Sequence, residues 1–139
     1  ALRAASKANR RPTSIRCYGS DRDAGAIAMS RANAERAGLS GGTSFEVRAI
    51  GELTAPEGPP GLVIINPPYG TRIGERKLLF PLYRTLGEKL RDGFAGWRIG
   101  LFTSDAGLAA ATDLPFNPPG PPVSHGGLSV TLFQTSPLA

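Results

Sequence analysis

The chain has 139 residues, enough for one domain with a modest core, and its 18 glycines and 13 prolines punctuate recurring apolar runs without making it low in complexity. Lysine and arginine number 16 against 11 acids, and the whole net charge of +5 falls in residues 1–16, where Arg3, Lys7, Arg10, Arg11 and Arg16 have no acid among them. Such a cluster suits a phosphate backbone as well as it suits the solvated face of a helix. A single Cys17 and a single His125 exclude an internal disulfide and argue against a zinc site, and no run is long enough to span a membrane. Ala1-Leu2-Arg3-Ala4 lacks the apolar core of a signal peptide, so cytoplasm is the expected location.

After the basic lead-in of residues 1–14, residues 15–20 read as a short strand in which Cys17 is expected to be a small core residue. A helix over 24–37 follows, with Asp23 as its N-cap, Gly38 as its stop, and Ile27, Ala28 and Ala34 available for packing. Residues 44–49 alternate Phe45, Val47 and Ala49 and predict a second strand. A Pro/Gly-rich loop over 55–61 leads into Leu62-Val63-Ile64-Ile65, an apolar run of the kind found in buried parallel strands. Leu78, Leu79, Leu82, Tyr83, Leu86 and Leu90 then fall at helical spacing, with Pro81 predicting either a first turn there or a break near Phe80. Residues 98–103 read as a strand and 105–111 as a short helix, and the alternation of 128–132 behind Gly126-Gly127 predicts an antiparallel hairpin with 118–124, with His125 at its turn. Strands separated by helices and closed by a hairpin make an α/β domain with a mainly parallel sheet.

The most informative residues are Asn66-Pro67-Pro68-Tyr69-Gly70, directly behind the apolar strand, because ligands of open α/β sheets bind at the carboxyl ends of the strands. An exocyclic base amine is a poor nucleophile, its lone pair being conjugated into the ring. Two fixed acceptors, the Asn66 side-chain oxygen and the Pro67 carbonyl, could bind both amine hydrogens, aim the lone pair at an electrophilic methyl and stabilise charge growing on nitrogen. The ring of Pro68 adds rigidity to that of Pro67, and Tyr69 offers a face for a flipped base. The same residues also fit a plain strand-ending turn or a polyproline ligand; the strand in front and Gly70 behind favour the catalytic reading.

Asp21 is a second candidate. An acid just past a strand and before a helix can bind the two hydroxyls of a nucleoside ribose, or it can cap the helix beside Asp23; its partnership with the Asn66 motif favours ribose. Arg72 could meet a phosphate or a backbone carbonyl.

Asn66-Pro67-Pro68-Tyr69-Gly70-Thr71-Arg72-Ile73-Gly74 resembles the signature of bacterial THUMP-associated RNA methyltransferases that make N2-methylguanosine in large-subunit ribosomal RNA. So do Leu82-Tyr83-Arg84-Thr85-Leu86-Gly87, Gly96-Trp97-Arg98 and Phe102-Thr103-Ser104-Asp105, in the order and spacing of that family's catalytic domain. Gly19-Ser20-Asp21-Arg22-Asp23 and Asn33-Ala34-Glu35-Arg36-Ala37-Gly38 are similar to its second-strand region. The resemblance implies a Rossmann-like class I methyltransferase fold, S-adenosylmethionine as methyl donor with Asp21 and Arg22 at the cofactor, and Asn66 to Tyr69 around the target base. It implies RNA, ribosomal above all, as partner. The motif is shared with DNA adenine-N6 methyltransferases, which are the runner-up, and a non-catalytic RNA-binding remnant is the alternative from another class.

Two departures from the family pattern stand out. Where the family carries an acid near the end of its third strand for the cofactor adenine, this chain has Ala49-Ile50-Gly51 with Glu52 nearby. The first strand and the glycine-rich loop are lacking, since no Asp-Pro-x-Cys-Gly-type run precedes Ile15. In the implied strand order 3-2-1-4-5-7-6 this leaves a slot of roughly 10 Å with two unpaired edges. The expectation is therefore the C-terminal part of a longer protein, with the slot empty or filled by strand exchange with another chain, and with weak cofactor binding by these residues alone.

Overall fold

The computed structural model describes residues 13–69, 73–125 and 127–139. Of the basic cluster only Arg16 is among them; Gly70, Thr71, Arg72 and Gly126 also lie outside the described residues. The chain divides into two compact units that meet in sequence at Arg48 and Ala49.

In the first unit, strand β1 (Cys17–Asp21), helix α1 (Ala24–Ala37) and strand β2 (Thr43–Val47) make a right-sized βαβ unit, with β1 and β2 parallel in the register Cys17↔Thr43 to Asp21↔Val47. Helix α1 has the bounds that the sequence predicts. Asp23 accepts a hydrogen bond from the Gly25 N–H, and Gly38 takes the left-handed φ of 68° that a side chain would disfavour, its N–H reaching the carbonyls of the last turn. Two packing expectations, for Ala28 and Cys17, fail here. Ile27 and Ala34 are buried but Ala28 is exposed, because a 100° step per residue carries it off the stripe of Ile27 and Ala34. Cys17 and Val47 are exposed too, since this two-stranded sheet has too few neighbours to cover the side chains at its ends.

In the second unit a short 3-10 turn (Ile50–Glu52) precedes β3 (Leu62–Ile65), α2 (Ile73–Gly93), β4 (Arg98–Thr103), α3 (Ala106–Ala111), β5 (Val123–His125) and β6 (Leu128–Gln134). The sheet order is β3-β4-β6-β5: β3 and β4 are parallel, and β6 runs antiparallel to both β4 and β5. Each sheet keeps the neighbours that the resemblance implies, second beside third strand in one and fourth, fifth, seventh, sixth in the other.

The core of this unit gathers Tyr83, Leu86, Leu90 and Phe94 from α2 and its C-terminal end, Ile99 and Leu101 from β4, Leu108 from α3 and Phe133 from β6. Phe94 meets Trp97 edge to face at 5.7 Å. Helices α2 and α3 close against each other at Gly87, where an added Cβ would sit 1.8 Å from the Thr112 carbonyl oxygen, so only glycine fits. The side chain of Arg91, one turn on, donates to that same carbonyl.

Two further expectations are corrected. The motif strand is covered on one side only: Val63 and Ile65 are half-buried while Leu62 and Ile64 are 61 % and 56 % exposed, the alternation of a strand with one packed face. Pro81 neither starts nor breaks a helix but lies inside α2 on its exposed side, where the carbonyl that loses its partner can meet water. Leu78 is 77 % exposed, leaving the packing to Leu79, Leu82 and the residues after them.

Candidate active site

β3 ends at Ile65, so Asn66, Pro67, Pro68 and Tyr69 leave the carboxyl end of a parallel strand, the edge at which the chemistry was expected. Asn66 is exposed, with its amide side chain facing solvent, while Pro67 is buried. Pro68 is exposed, and Tyr69 is half-buried and packed against the core. The loop is thus anchored at Pro67 and through Tyr69, with Asn66 left accessible.

The anchoring extends to a residue 15 positions on. The Tyr83 hydroxyl, in the middle of α2, donates to the Pro68 carbonyl at 3.2 Å. It also lies 3.4 Å from the Thr103 hydroxyl at the end of β4, and Thr103 Oγ1 accepts the Asp105 N–H at 3.1 Å. A phenol has one proton and a carbonyl can only accept, so Tyr83 gives its proton to Pro68 and Thr103 gives its own to Tyr83. Tyr83 and Thr103 are both fully buried. Burial pushes the Tyr83 pKa above the ordinary tyrosine value; the Thr103 hydrogen bond works against this, while the charge of Asp105 and the nearby Tyr69 add to it. Tyr83 is therefore a neutral donor at any physiological pH.

The second candidate lies in the first unit. Asp21 ends β1, is exposed, and accepts the Asp23 N–H through Oδ1 at 2.9 Å, a tight Asx turn that holds the carboxylate at the strand end. Asp23 fills the N-cap position with its bond to the Gly25 N–H at 2.7 Å, so the capping role open to Asp21 belongs to its neighbour. Arg22 is exposed. In the second unit Glu52 turns back to accept the Ala49 N–H at 3.2 Å, a local bond across the 3-10 turn.

The structure therefore collects Asn66, Pro67, Pro68 and Tyr69 on one loop with Tyr83 and Thr103 behind it, while Asp21 and Arg22 belong to the other unit. Tyr83 and Thr103 carry no role in the sequence reading. A clue was present: a tyrosine at a core position of an apolar helical stripe must find a partner for its hydroxyl. Among the described residues no three His, Cys, Asp or Glu side chains group as metal ligands, and no helix is long and apolar enough to cross a membrane.

Comparison with known proteins gives concordant matches. The family model described as UPF0020: RMKL-like, methyltransferase domain matches residues 1–115. The ribosomal RNA large subunit methyltransferase K/L of Chromohalobacter salexigens is 45 % identical over 107 residues, which are 76 % of this chain and 15 % of that protein. Among solved structures, a possible methylase from Clostridium difficile 630 superposes with a TM-score of 0.84 at 26 % identity, covering 99 % of this chain and 36 % of the other. The structure of SMU.472 complexed with SAH gives the same TM-score of 0.84 at 22 % identity, again over 99 % of this chain and 36 % of its own, which supports the fold. The chain thus spans well under half the length of these relatives.

Proposed function

Because the chain belongs to the UPF0020 family of RMKL-like methyltransferase domains, we propose that it is the amine-methylating part of an S-adenosylmethionine-dependent RNA methyltransferase, with guanine N2 of ribosomal RNA as its target. The observation that carries this reading is the Asn66-Pro67-Pro68-Tyr69 loop, at the carboxyl end of β3 with Asn66 exposed and Tyr69 packed against the core. The name of the 45 % identical relative supports RNA over DNA.

Asn66 Oδ1 and the Pro67 carbonyl accept the two hydrogens of the base amine, and this turns the nitrogen lone pair away from the ring. As the amine attacks, its hydrogens become more acidic and both bonds strengthen, so the two acceptors favour the transition state over the ground state. Tyr69 stacks on the flipped base and fixes its plane. Bound S-adenosylmethionine supplies the electrophilic methyl. Asp21 fits its ribose: an exposed carboxylate at the end of a parallel strand, held by its own turn, is an acceptor for two hydroxyl donors.

The test is single-turnover methylation of undermethylated ribosomal RNA by the enzyme that carries this chain, followed by nucleoside analysis. N2-methylguanosine is the expected product. Asn66→Ala should slow the step on the order of a hundredfold or more with little change in cofactor affinity. An unchanged rate in that variant would remove the catalytic assignment, and N6-methyladenine in DNA as the preferred product would move the enzyme to the runner-up class.

A further inference from the structure

Five torsions decide where the motif loop points, and the sequence constrains all but one of them. The rings of Pro67 and Pro68 hold φ near about −65°, and Asn66 and Pro67, each followed by a proline, are confined to extended backbone. The ψ angle of Pro68 has no such constraint, because Tyr69 follows it. That angle sets the plane of the Pro68–Tyr69 peptide, which contains both the Pro68 carbonyl and the Tyr69 N–H, and so it sets the direction in which Tyr69 departs.

The Tyr83 hydroxyl acts on this one soft torsion. It donates to the Pro68 carbonyl at 3.2 Å from a ring that is fully buried. Its own oxygen lies 3.4 Å from the Thr103 hydroxyl, and Thr103 is oriented in turn by the Asp105 N–H at 3.1 Å. Asp105 also accepts the Gly107 and Leu108 N–H groups, so the chain of bonds ends on the start of α3. Nothing in this relay depends on a flexible side chain at the surface.

We infer that Tyr83 is a positioning residue for methyl transfer: through the Pro68 carbonyl, and with Thr103 orienting it, its hydroxyl fixes the peptide plane that aims Tyr69 at the target base. This rests on the reading of the Asn66 to Tyr69 loop as the site of amine methylation. The phenol never touches the substrate. Its contribution is to keep the loop in one conformation before the base arrives, so that binding does not have to order it.

The experiment uses the intact methyltransferase that carries this chain, with Tyr83→Phe, Thr103→Ser, Thr103→Val and Asn66→Ala. Tyr83→Phe keeps the ring in the core and removes only the hydroxyl. It should slow single-turnover methyl transfer about tenfold, the size expected for one lost neutral hydrogen bond, while cofactor Kd stays within twofold. Amide hydrogen exchange at Tyr69 should rise by a similar factor with core strand amides unchanged. Thr103→Ser keeps a hydroxyl and should retain most of the rate, whereas Thr103→Val should match Tyr83→Phe. A wild-type rate and unchanged Tyr69 exchange in Tyr83→Phe overturn the inference, and so does a rise in exchange spread evenly over β4 and β6, which would make the hydroxyl a structural element alone. If Asn66→Ala is fully active, it is the functional reading that fails, and the exchange at Tyr69 still judges the role of Tyr83.

Discussion

Tyr69 has a ring and a hydroxyl, and substitutions can separate what each contributes. If the ring face holds the base, Tyr69→Phe keeps most of the activity while Tyr69→Ala loses about 1–3 kcal/mol of base binding, to be read from RNA titrations of the two variants. Equal and severe losses would transfer the role to the hydroxyl. Tyr83 gives a second test at this scale, through pH. Its pKa is raised in the folded chain, chiefly by burial, so the stabilisation tied to its proton is complete below the unfolded value of about 10 and is lost as pH rises through the folded value. Unfolding free energies of wild type and Tyr83→Phe should therefore differ by a constant between pH 7 and 9, after which the wild type should fall faster; parallel curves up to pH 11 would show that the phenol is not buried as described. The place of Asn66 and Tyr69 behind the carboxyl end of a strand was legible in the sequence, because the apolar run and the turn residues after it are local signals. Tyr83 was not, since its partner lies on another element and no spacing rule links residues 68 and 83.

At the scale of elements, the boundaries of α1 and β4 follow from local chemistry: Asp23 and Gly38 bracket one, and the apolar run before Ser104 marks the other. What local rules missed is tertiary. Pro81 stays inside α2 because Tyr83, Leu86 and Leu90 hold the helix to the core, and packing of that kind outweighs one lost backbone bond. Pro81→Ala should accordingly stabilise the chain, by about 1–2 kcal/mol in urea unfolding once the extra freedom of the unfolded alanine is subtracted from the helical gain. A destabilised variant would mean that the ring has a packing role of its own. Gly87→Ala should do the reverse. Its methyl would fall on the Thr112 carbonyl, a backbone atom that cannot rotate away, so α2 and α3 must separate, at a cost of about 3 kcal/mol. A Tm within 2 °C of wild type would contradict the close approach of the two helices.

For the whole molecule, the two units differ in how much core each owns. Among the described residues, Ile27 and Ala34 are the buried apolar side chains of the first unit, whereas the second has a continuous cluster from Tyr83 to Leu138. Hydrogen exchange on this chain should show weaker protection at residues 43–47 than at residues 98–103, since local opening costs little where little apolar surface is buried; equal protection would show that the first unit draws stability from elsewhere. The parallel ladders were readable from the alternation of strands and helices, and the lack of pairing between β1 and β3 from the implied strand order without its first strand, whereas the change of unit at Arg48 has no local signal because it is set by tertiary packing. Strand β6 sits between β4 and β5, and its partners on β4 lie 28–34 residues upstream, from Thr103↔Thr131 to Gly100↔Gln134. Translation is vectorial. At roughly 5–20 residues per second, β4 waits some two to six seconds with one edge bare before the strand that covers it has been made. During that interval Ile99 and Leu101 are a ready template for another chain, so synthesis that stalls before Gln134 would yield a sticky nascent polypeptide, and the timing of its elongation becomes part of how this protein avoids aggregation.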